Sequence, residues 1–209
     1  DAPFLHGVLA RFNEVVGDGW PCWALSNHDC ERSATRWGGP QPDARLLRLA
    51  AAFQASLRGT VCLYQGEELG MTNFPFTHIG QCRDIESLNW FDEAVQQRGW
   101  TAEQALESIR AKGRDNARTP FPWRDAPHGG FTTGTPWLPA QPNFSHINAA
   151  QARADGASVF HHYRRLITLR RQHPVWVHGR TEQLLAGHAQ VAAYLRLWND
   201  QRLLVLCNL

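Results

Sequence analysis

Two apolar segments are each followed by polar side chains whose types suit catalysis or ligand binding. Residues 22–26 run into Asn27, His28 and Asp29, and residues 61–64 run into a stretch that contains Glu67 and Glu68. Carboxylates and an imidazole can transfer protons, hold hydroxyl groups or stabilise positive charge. From residue type alone, Asp29 is better explained as a loop-capping residue. Glu67 and Glu68 are either an acid–base couple or part of a hydrogen-bonding scaffold.

The elements before these polar residues alternate between helix and strand. Apolar residues recur at helical spacing over 4–15, before the first apolar segment, which is predicted to be a buried strand. A second helix, with Asp43 as its N-cap and Gly59 beyond its end, comes before the second predicted strand. This order favours a parallel α/β architecture, in which functional sites lie at the carboxyl ends of the strands.

The rest of the chain divides into three stretches. Residues 70–157 read mainly as loop, with one helix that begins at the capping box Thr101–Gln104 and ends at Gly113. A helix over 157–172, ended by Pro174, comes next. Residues 191–209 then predict a β-hairpin with its turn at 199–200. The change of pattern predicts a domain boundary near residue 178.

Composition excludes several classes of protein. The 209 residues are 43% hydrophobic and 19% charged, as in globular proteins and unlike disordered chains. No apolar run is long enough to span a membrane, so we expect no membrane association. The net charge is +2, and the basic residues, all arginine except Lys112, form no basic stripe. We therefore expect no nucleic-acid partner.

The cysteine and histidine patterns argue against a disulfide framework and a metal site. The five cysteines are odd in number and none forms a Cys-x-x-Cys pair, which favours a reducing, cytoplasmic compartment. The ten histidines include no His-Glu-x-x-His motif and no paired ligand spacing. The sequence therefore predicts neither a metal nor another cofactor.

Both ends of the sequence suggest that it is part of a longer protein. It starts at Asp1 without an initiator methionine or a signal-peptide pattern. It stops at Leu209, within a predicted strand. We expect that further residues, essential ones among them, belong to the same protein.

Several motifs together carry a family resemblance. They occur in this order: Asn27-His28-Asp29, residues 66–73 (GEELGMTN), residues 83–89 (RDIESLN), residues 113–120 (GRDNARTP), residues 130–137 (GFTTGTPW) and Ile147-Asn148. The ordered set resembles the α-amylase superfamily of glycoside hydrolases, family 13, and within it the oligo-1,6-glucosidase and α-glucosidase branch. The resemblance covers essentially the whole chain.

The resemblance implies an α/β fold: the C-terminal part of a (β/α)8 barrel over 1–178, and the start of an all-β sandwich domain over 179–209. It implies a retaining α-glucosidase acting on terminal α-glucosidic bonds of short oligosaccharides or glucosides, with 1→4 and 1→6 linkage both open. Such enzymes use a nucleophile and an acid/base, and the motifs that supply them in the family are absent from this chain. The alternatives are a sucrose isomerase or transglucosylase, or a non-catalytic sugar-binding or interaction protein.

The resemblance also assigns roles to five residues. Asp29 matches the third catalytic carboxylate, which stabilises the transition state, and His28 matches a histidine that binds sugar hydroxyls. Arg114 matches an arginine that holds the terminal glucose, and Glu86 a carboxylate near the leaving sugar. Arg118 either binds substrate or pairs with a carboxylate as a structural residue. The chain departs from the family at residues 30–31, where Cys and Glu replace the usual Gln and Pro, while Arg32 is kept.

Overall fold

The structure is a computed structural model that describes residues 2–209. None of its helices is long and apolar enough to cross a membrane. The helices are α1 (Ala2–Val16), α2 (Ser33–Gly38), α3 (Ala44–Ser56), α4 (Ile85–Gln96), α5 (Ala102–Lys112), α6 (Asp115–Arg118), α7 (Ala149–Ala154), α8 (Val159–Gln172) and α9 (Pro174–His178). The strands are β1 (Cys22–Ala24), β2 (Thr60–Cys62), β3 (Arg180–Leu184), β4 (Val191–Trp198) and β5 (Gln201–Asn208).

The described residues divide into two compact units. Unit 1 comprises residues 2–24, 48–62 and 162–209, and unit 2 comprises residues 25–47 and 63–161. Unit 1 contains all five strands, and unit 2 contains α4–α7 and most of the irregular backbone.

The parallel strand pair of unit 1 confirms the helix–strand–helix–strand prediction. Strands β1 and β2 run parallel, with Cys22 opposite Thr60 and Ala24 opposite Cys62. Both strands are shorter than the apolar segments that predicted them, each having only three residues. Gly59 has a φ of +100°, and a Cβ there would collide with the Pro21 carbonyl oxygen. Glycine at this position therefore allows the chain to turn closely into β2.

The second sheet of unit 1 is antiparallel, in the order β3-β4-β5. The predicted hairpin is confirmed by the pairing of Trp198 with Gln201 and by Asn199 in the turn, which has a φ of +51°. Tyr194 on β4 is fully buried, and its hydroxyl lies 2.6 Å from Ser56 Oγ. Burial raises the pKa of Tyr194. The apolar core around it contains Ala2, Leu9, Leu57, Ala192, Val205 and Cys207.

Helices α4 and α5 of unit 2 contribute to one apolar core. Helix α5 begins at the predicted capping box, in which Thr101 Oγ1 accepts from the Gln104 N–H and the Gln104 side chain accepts from the Thr101 N–H. Helix α4 corrects the prediction of loop before Thr101. Its residues Leu88, Trp90 and Phe91 pack on a core formed by Phe74, Phe76, Cys82 and Ile109.

Residues 157–178 form two helices where the sequence predicted one. Helix α8 ends at Gln172, which confirms the predicted stop before Pro174. Pro174 then occupies the first turn of α9, so it starts a helix as well as ending one. Proline suits this position because the first N–H groups of a helix have no internal partner.

Candidate functional site

The loop after β1, residues 25–32, which we call the site loop, holds its shape through its own side chains. Asn27 Oδ1 accepts from the Asp29 N–H at 2.7 Å, and the Asn27 N–H lies 3.3 Å from Cys30 Sγ. An Asn side chain bonded to the backbone two residues on forms a compact turn. Asn27 therefore shapes the loop that carries His28 and Asp29.

Asp29 lies between an imidazole and two guanidinium groups. Its Oδ1 accepts from Arg118 Nη2 at 2.8 Å, and Arg114 Nη1 lies 3.7 Å from the same oxygen. Its Oδ2 lies 3.2 Å from His28 Nε2. About half of the Asp29 side chain is exposed. The carboxylate therefore has a fixed orientation and an open side.

Arg114 contacts three carboxylates. Its Nη2 lies 2.7 Å from Asp84 Oδ1 and 3.1 Å from Glu86 Oε2, while its Nη1 faces Asp29. The hydrogen bond to Asp84 is the main reason that the pKa of Arg114 is raised. Glu86 is largely exposed in the first turn of α4. Arg114 thus joins the two predicted acidic site residues through a single side chain.

Arg118 connects the site loop to the carboxylates that surround Arg114. Its Nε donates to the His28 carbonyl oxygen at 2.8 Å, and its Nη2 binds Asp29. Its Nη1 lies 3.4 Å from Asp84 Oδ1. All five residues singled out in the sequence, His28, Asp29, Glu86, Arg114 and Arg118, therefore lie in one hydrogen-bonded cluster of unit 2, which we call the site cluster.

Asp84 belongs to the site cluster and was missed in the sequence. Its side chain is 3% exposed, and it caps α4 by accepting from the Ser87 N–H. Burial opposes its ionisation, but the hydrogen bonds from Arg114 and Ser87 outweigh burial and lower the pKa of Asp84. The cue in the sequence is an Asp three residues before a Ser at the start of an amphipathic helix.

Arg32, the last residue of the site loop, fixes this loop to the rest of unit 2. Arg32 is buried and donates to the carbonyl oxygens of Gln65, Asn116 and Ala117. Burial lowers the pKa of this guanidinium to about 10. Because each bond spans more than thirty residues, Arg32 links segments that are distant in the sequence.

Glu31, which departs from the family pattern, is a buried carboxylate paired with two basic side chains, of which Lys112 is mostly exposed. Its carboxylate accepts from Arg36 Nε at 2.9 Å and from Lys112 Nζ at 2.8 Å. Burial acts against ionisation, but the bonds from Lys112 and Arg36 lower the pKa of Glu31 to about 2. Glu31 thereby joins the site loop to the last turn of α5.

Glu67 and Glu68 make separate local contacts. Glu67 is buried, its carboxylate accepts from Ser26 Oγ, and burial raises its pKa. Glu68 Oε2 accepts from the Gly66 N–H at 2.8 Å. These contacts favour the scaffold interpretation over an acid–base couple.

Within residues 2–209, no group of three or more His, Cys, Asp or Glu side chains is placed to hold a metal ion.

The parallel strand pair, with charged side chains following a strand end, is typical of α/β enzymes. The alpha-amylase catalytic domain matches residues 5–179, and the chain belongs to this family, the α-amylase superfamily of glycoside hydrolases. The catalytic domains of this family and of the structural neighbours are (β/α)8 barrels.

Similar proteins place the chain within the family. It is 44% identical over 206 residues to an oligo-1,6-glucosidase of Halalkalibacterium halodurans, covering 98% of this chain and 36% of that protein. It is 42% identical over 195 residues to a glucan 1,6-alpha-glucosidase of Streptococcus pneumoniae, covering 93% of this chain and 36% of that protein. The crystal structure of a trehalulose synthase from Pseudomonas mesoacidophila matches with a TM-score of 0.91 at 36% identity, covering 99% of this chain and 38% of that one. The chain thus spans about a third of the length of these relatives.

Proposed function

We propose that the chain supplies the sugar-binding and transition-state-stabilising part of a retaining α-glucosidase. The substrates are short oligosaccharides or glucosides with a terminal α-glucosidic bond. The site cluster carries this proposal, because it offers one half-exposed carboxylate, Asp29, oriented by His28 and Arg118. The oligo-1,6-glucosidase relatives support the substrate class.

Asp29 is the proposed transition-state stabiliser. Retaining glycoside hydrolysis passes through a state with positive charge on the sugar ring. A carboxylate that binds the sugar hydroxyls beside that charge can strengthen its contacts as the ring distorts. The nucleophile and the acid/base are proposed to come from the part of the enzyme that this chain does not span, since it covers 36% of its relatives.

The other residues of the site cluster are proposed to bind the substrate. His28 can donate from one ring nitrogen and accept at the other, which suits adjacent sugar hydroxyls. Arg114 is assigned to the terminal glucose and Glu86, which is largely exposed, to the leaving sugar. Arg118 makes two strong bonds, to Asp29 and to the His28 backbone, which favours a role in orienting the loop.

We propose that residues 1–178 are the C-terminal part of the barrel, with β1 and β2 as its seventh and eighth strands, and that residues 179–209 begin a β-sandwich. The parallel pairing of β1 with β2 supports the first part. The antiparallel sheet β3-β4-β5 supports the second, as does the end of the family match at residue 179.

A second candidate within the family is a sucrose isomerase or transglucosylase. The trehalulose synthase match, with a TM-score of 0.91, favours it. Both reactions use the same glucosyl–enzyme intermediate and differ in what accepts the glucosyl group. Product analysis of the intact protein that carries this sequence separates them: free glucose as the sole sugar released from isomaltose supports hydrolysis, and a rearranged disaccharide from sucrose supports isomerisation.

The main test replaces Asp29 by Asn in the intact protein that carries this sequence. We expect kcat/KM for p-nitrophenyl α-glucoside to fall by at least about 10²-fold, the size expected when an electrostatic contact to the transition state is lost. The matched control is Asp92→Asn, an exposed position on α4, with activity within about twofold of the unchanged protein. Full activity of the Asp29 variant would remove the proposed role.

The 209-residue chain assayed alone supplies a further arm of this test. We expect no turnover of p-nitrophenyl α-glucoside, because the chain offers neither of the two remaining catalytic groups. Turnover at enzyme-like rates by the chain alone would contradict this assignment. Failure of the intact protein to act on any α-glucoside or on sucrose would instead favour the non-catalytic sugar-binding alternative.

A further inference from the structure

The site cluster contains three carboxylates and two guanidinium groups, arranged unequally. Asp84 Oδ1 lies 2.7 Å from Arg114 and 3.4 Å from Arg118. Asp29 Oδ1 is 2.8 Å from Arg118 but 3.7 Å from Arg114. The nearest Arg114–Asp29 distance is about 1 Å longer than a charge-assisted hydrogen bond. The structure therefore has Arg114 hydrogen-bonded to Asp84 and in a longer ion-pair contact with Asp29.

We propose that Asp84 is a positioning residue that holds Arg114 away from Asp29, so that the Asp29 carboxylate remains available to the substrate. The inference rests on the proposed function. A guanidinium is attracted to whichever carboxylate is nearer and less solvated. With Asp84 neutral, Arg114 closes the remaining gap to Asp29 and cancels the negative charge that would face the reacting sugar.

Asp84 is suited to this role because its own position is fixed from several sides. Its Oδ2 accepts from the Ser87 N–H at 3.3 Å and the Ser87 hydroxyl at 3.2 Å. Its backbone N–H donates at 2.8 Å to Asp115, whose carboxylate also accepts from the Arg83 N–H. Both acids are buried. A buried carboxylate anchored in this way can hold a flexible arginine in one orientation.

The same contacts explain why Glu86 is placed where Arg114 can reach it. Asp84 caps α4, and Glu86 lies in the first turn of that helix. Arg114 Nη2 contacts both carboxylates, at 2.7 Å and 3.1 Å. Asp84 therefore fixes both the end of α4 that carries Glu86 and the Arg114 guanidinium that contacts Glu86.

The test separates the charge of Asp84 from its role as a helix cap. Asn and Ser are both good N-caps, so Asp84→Asn and Asp84→Ser keep the α4 cap but lose the charge, whereas Asp84→Ala loses both. In the intact protein that carries this sequence, we expect all three to lower kcat for p-nitrophenyl α-glucoside by about 10²-fold. KM should rise by less than kcat falls, because Arg114 is also assigned to the bound terminal glucose while the loss at Asp29 acts in the transition state. All three variants lose the ion pair with Arg114 and should lower Tm, but Asp84→Ala should lower it most, because it also loses the helix cap.

A double-mutant cycle tests whether Asp84 acts through Arg114. In an Arg114→Ala background, Asp84→Asn should lower kcat by less than about threefold, since the side chain that it positions is gone. An equal loss in both backgrounds, or a loss of kcat that follows Tm across the three variants, would overturn the inference. If Asp29→Asn abolishes activity while Asp84→Asn does not, only this inference fails. If neither changes activity, the proposed function fails.

Discussion

Replacing Arg118 by Lys tests whether the site loop is held by the geometry of a guanidinium or only by its charge. Arg118 donates from Nε to the His28 carbonyl and from Nη2 to Asp29, both at 2.8 Å. Its side chain is 23% exposed and that of Asp29 is 51% exposed, so water partly screens the bond between them. A lysine ammonium is a compact point charge on a flexible stem and cannot reproduce this two-sided fork.

The magnitude follows from the number of bonds lost. Lys can restore one of the two short bonds, so one charge-assisted hydrogen bond disappears, and at a half-exposed carboxylate we take the lower end of its range, about 1.5 kcal/mol. If that free energy is lost from the transition state, kcat/KM falls by about 10-fold. The loss reflects a misplaced Asp29 and His28, because Arg118 is assigned to orientation.

The assay compares initial rates on p-nitrophenyl α-glucoside and isomaltose for the intact protein and its Arg118→Lys variant. Arg98→Lys is the matched control, because Arg98 pairs with Glu93 at a position where both side chains are about half exposed. Such surface pairs contribute little, so the control should stay within about twofold. An Arg118→Lys variant as active as the control would refute the geometric argument.

Two further predictions concern stability. Glu31→Gln should lower the free energy of unfolding by about 1–2 kcal/mol near neutral pH. This is less than the full pKa shift of Glu31 implies, because its partner Lys112 is mostly exposed and water screens their ion pair. Because the pKa of Glu31 is lowered from 4.5 to about 2 on folding, the difference in unfolding free energy between the variant and the unchanged protein should shrink as pH falls from 4.5 towards 2. Urea unfolding at several pH values measures it, with the exposed Glu107→Gln as control, and a pH-independent difference would contradict it. Thr101→Ala should cost about 1 kcal/mol through loss of the α5 capping box, whereas Thr101→Ser should not; equal melting of the two variants would count against the cap.

The elements that the sequence predicted best are those defined by residues close together in the chain. The capping box of α5 needs only Thr101 and Gln104, and the β4–β5 hairpin needs alternating residues around Asn199. Helix α4 was missed because its stability comes from distant residues. Ile85 at its start is exposed, while Trp90 and Phe91 pack near Phe74, Phe76 and Ile109. Propensity alone does not reveal packing of this kind.

In the site cluster too, residues within recognisable motifs could be predicted, whereas contacts between residues distant in the sequence could not. The motifs around Asp29 and Arg114 could be picked out individually, and their resemblance to one family predicted that they act together. Asp84 lies within the motif of residues 83–89, but the motif gives it no role, since its partners Arg114 and Arg118 lie 30 and 34 residues away. Its proximity to them depends on how Asp115 and Ser87 fix the chain, which only the structure provides.

At residues 30–31 this chain has Cys and Glu where the family usually has Gln and Pro. The site loop is still held in place, but by different interactions. A proline restrains a loop through its ring, independently of pH and salt. Here Glu31 occupies that position and restrains the loop through Arg36 and Lys112, while Cys30 lies against the Asn27 N–H. Ion pairs weaken when the carboxylate is protonated and, where one partner is exposed, when salt rises. The orientation of Asp29 should therefore depend on pH and ionic strength more in this protein than in relatives with proline. That difference would appear as a steeper loss of kcat/KM as pH falls towards about 2, where the Glu31 carboxylate is protonated in the folded protein.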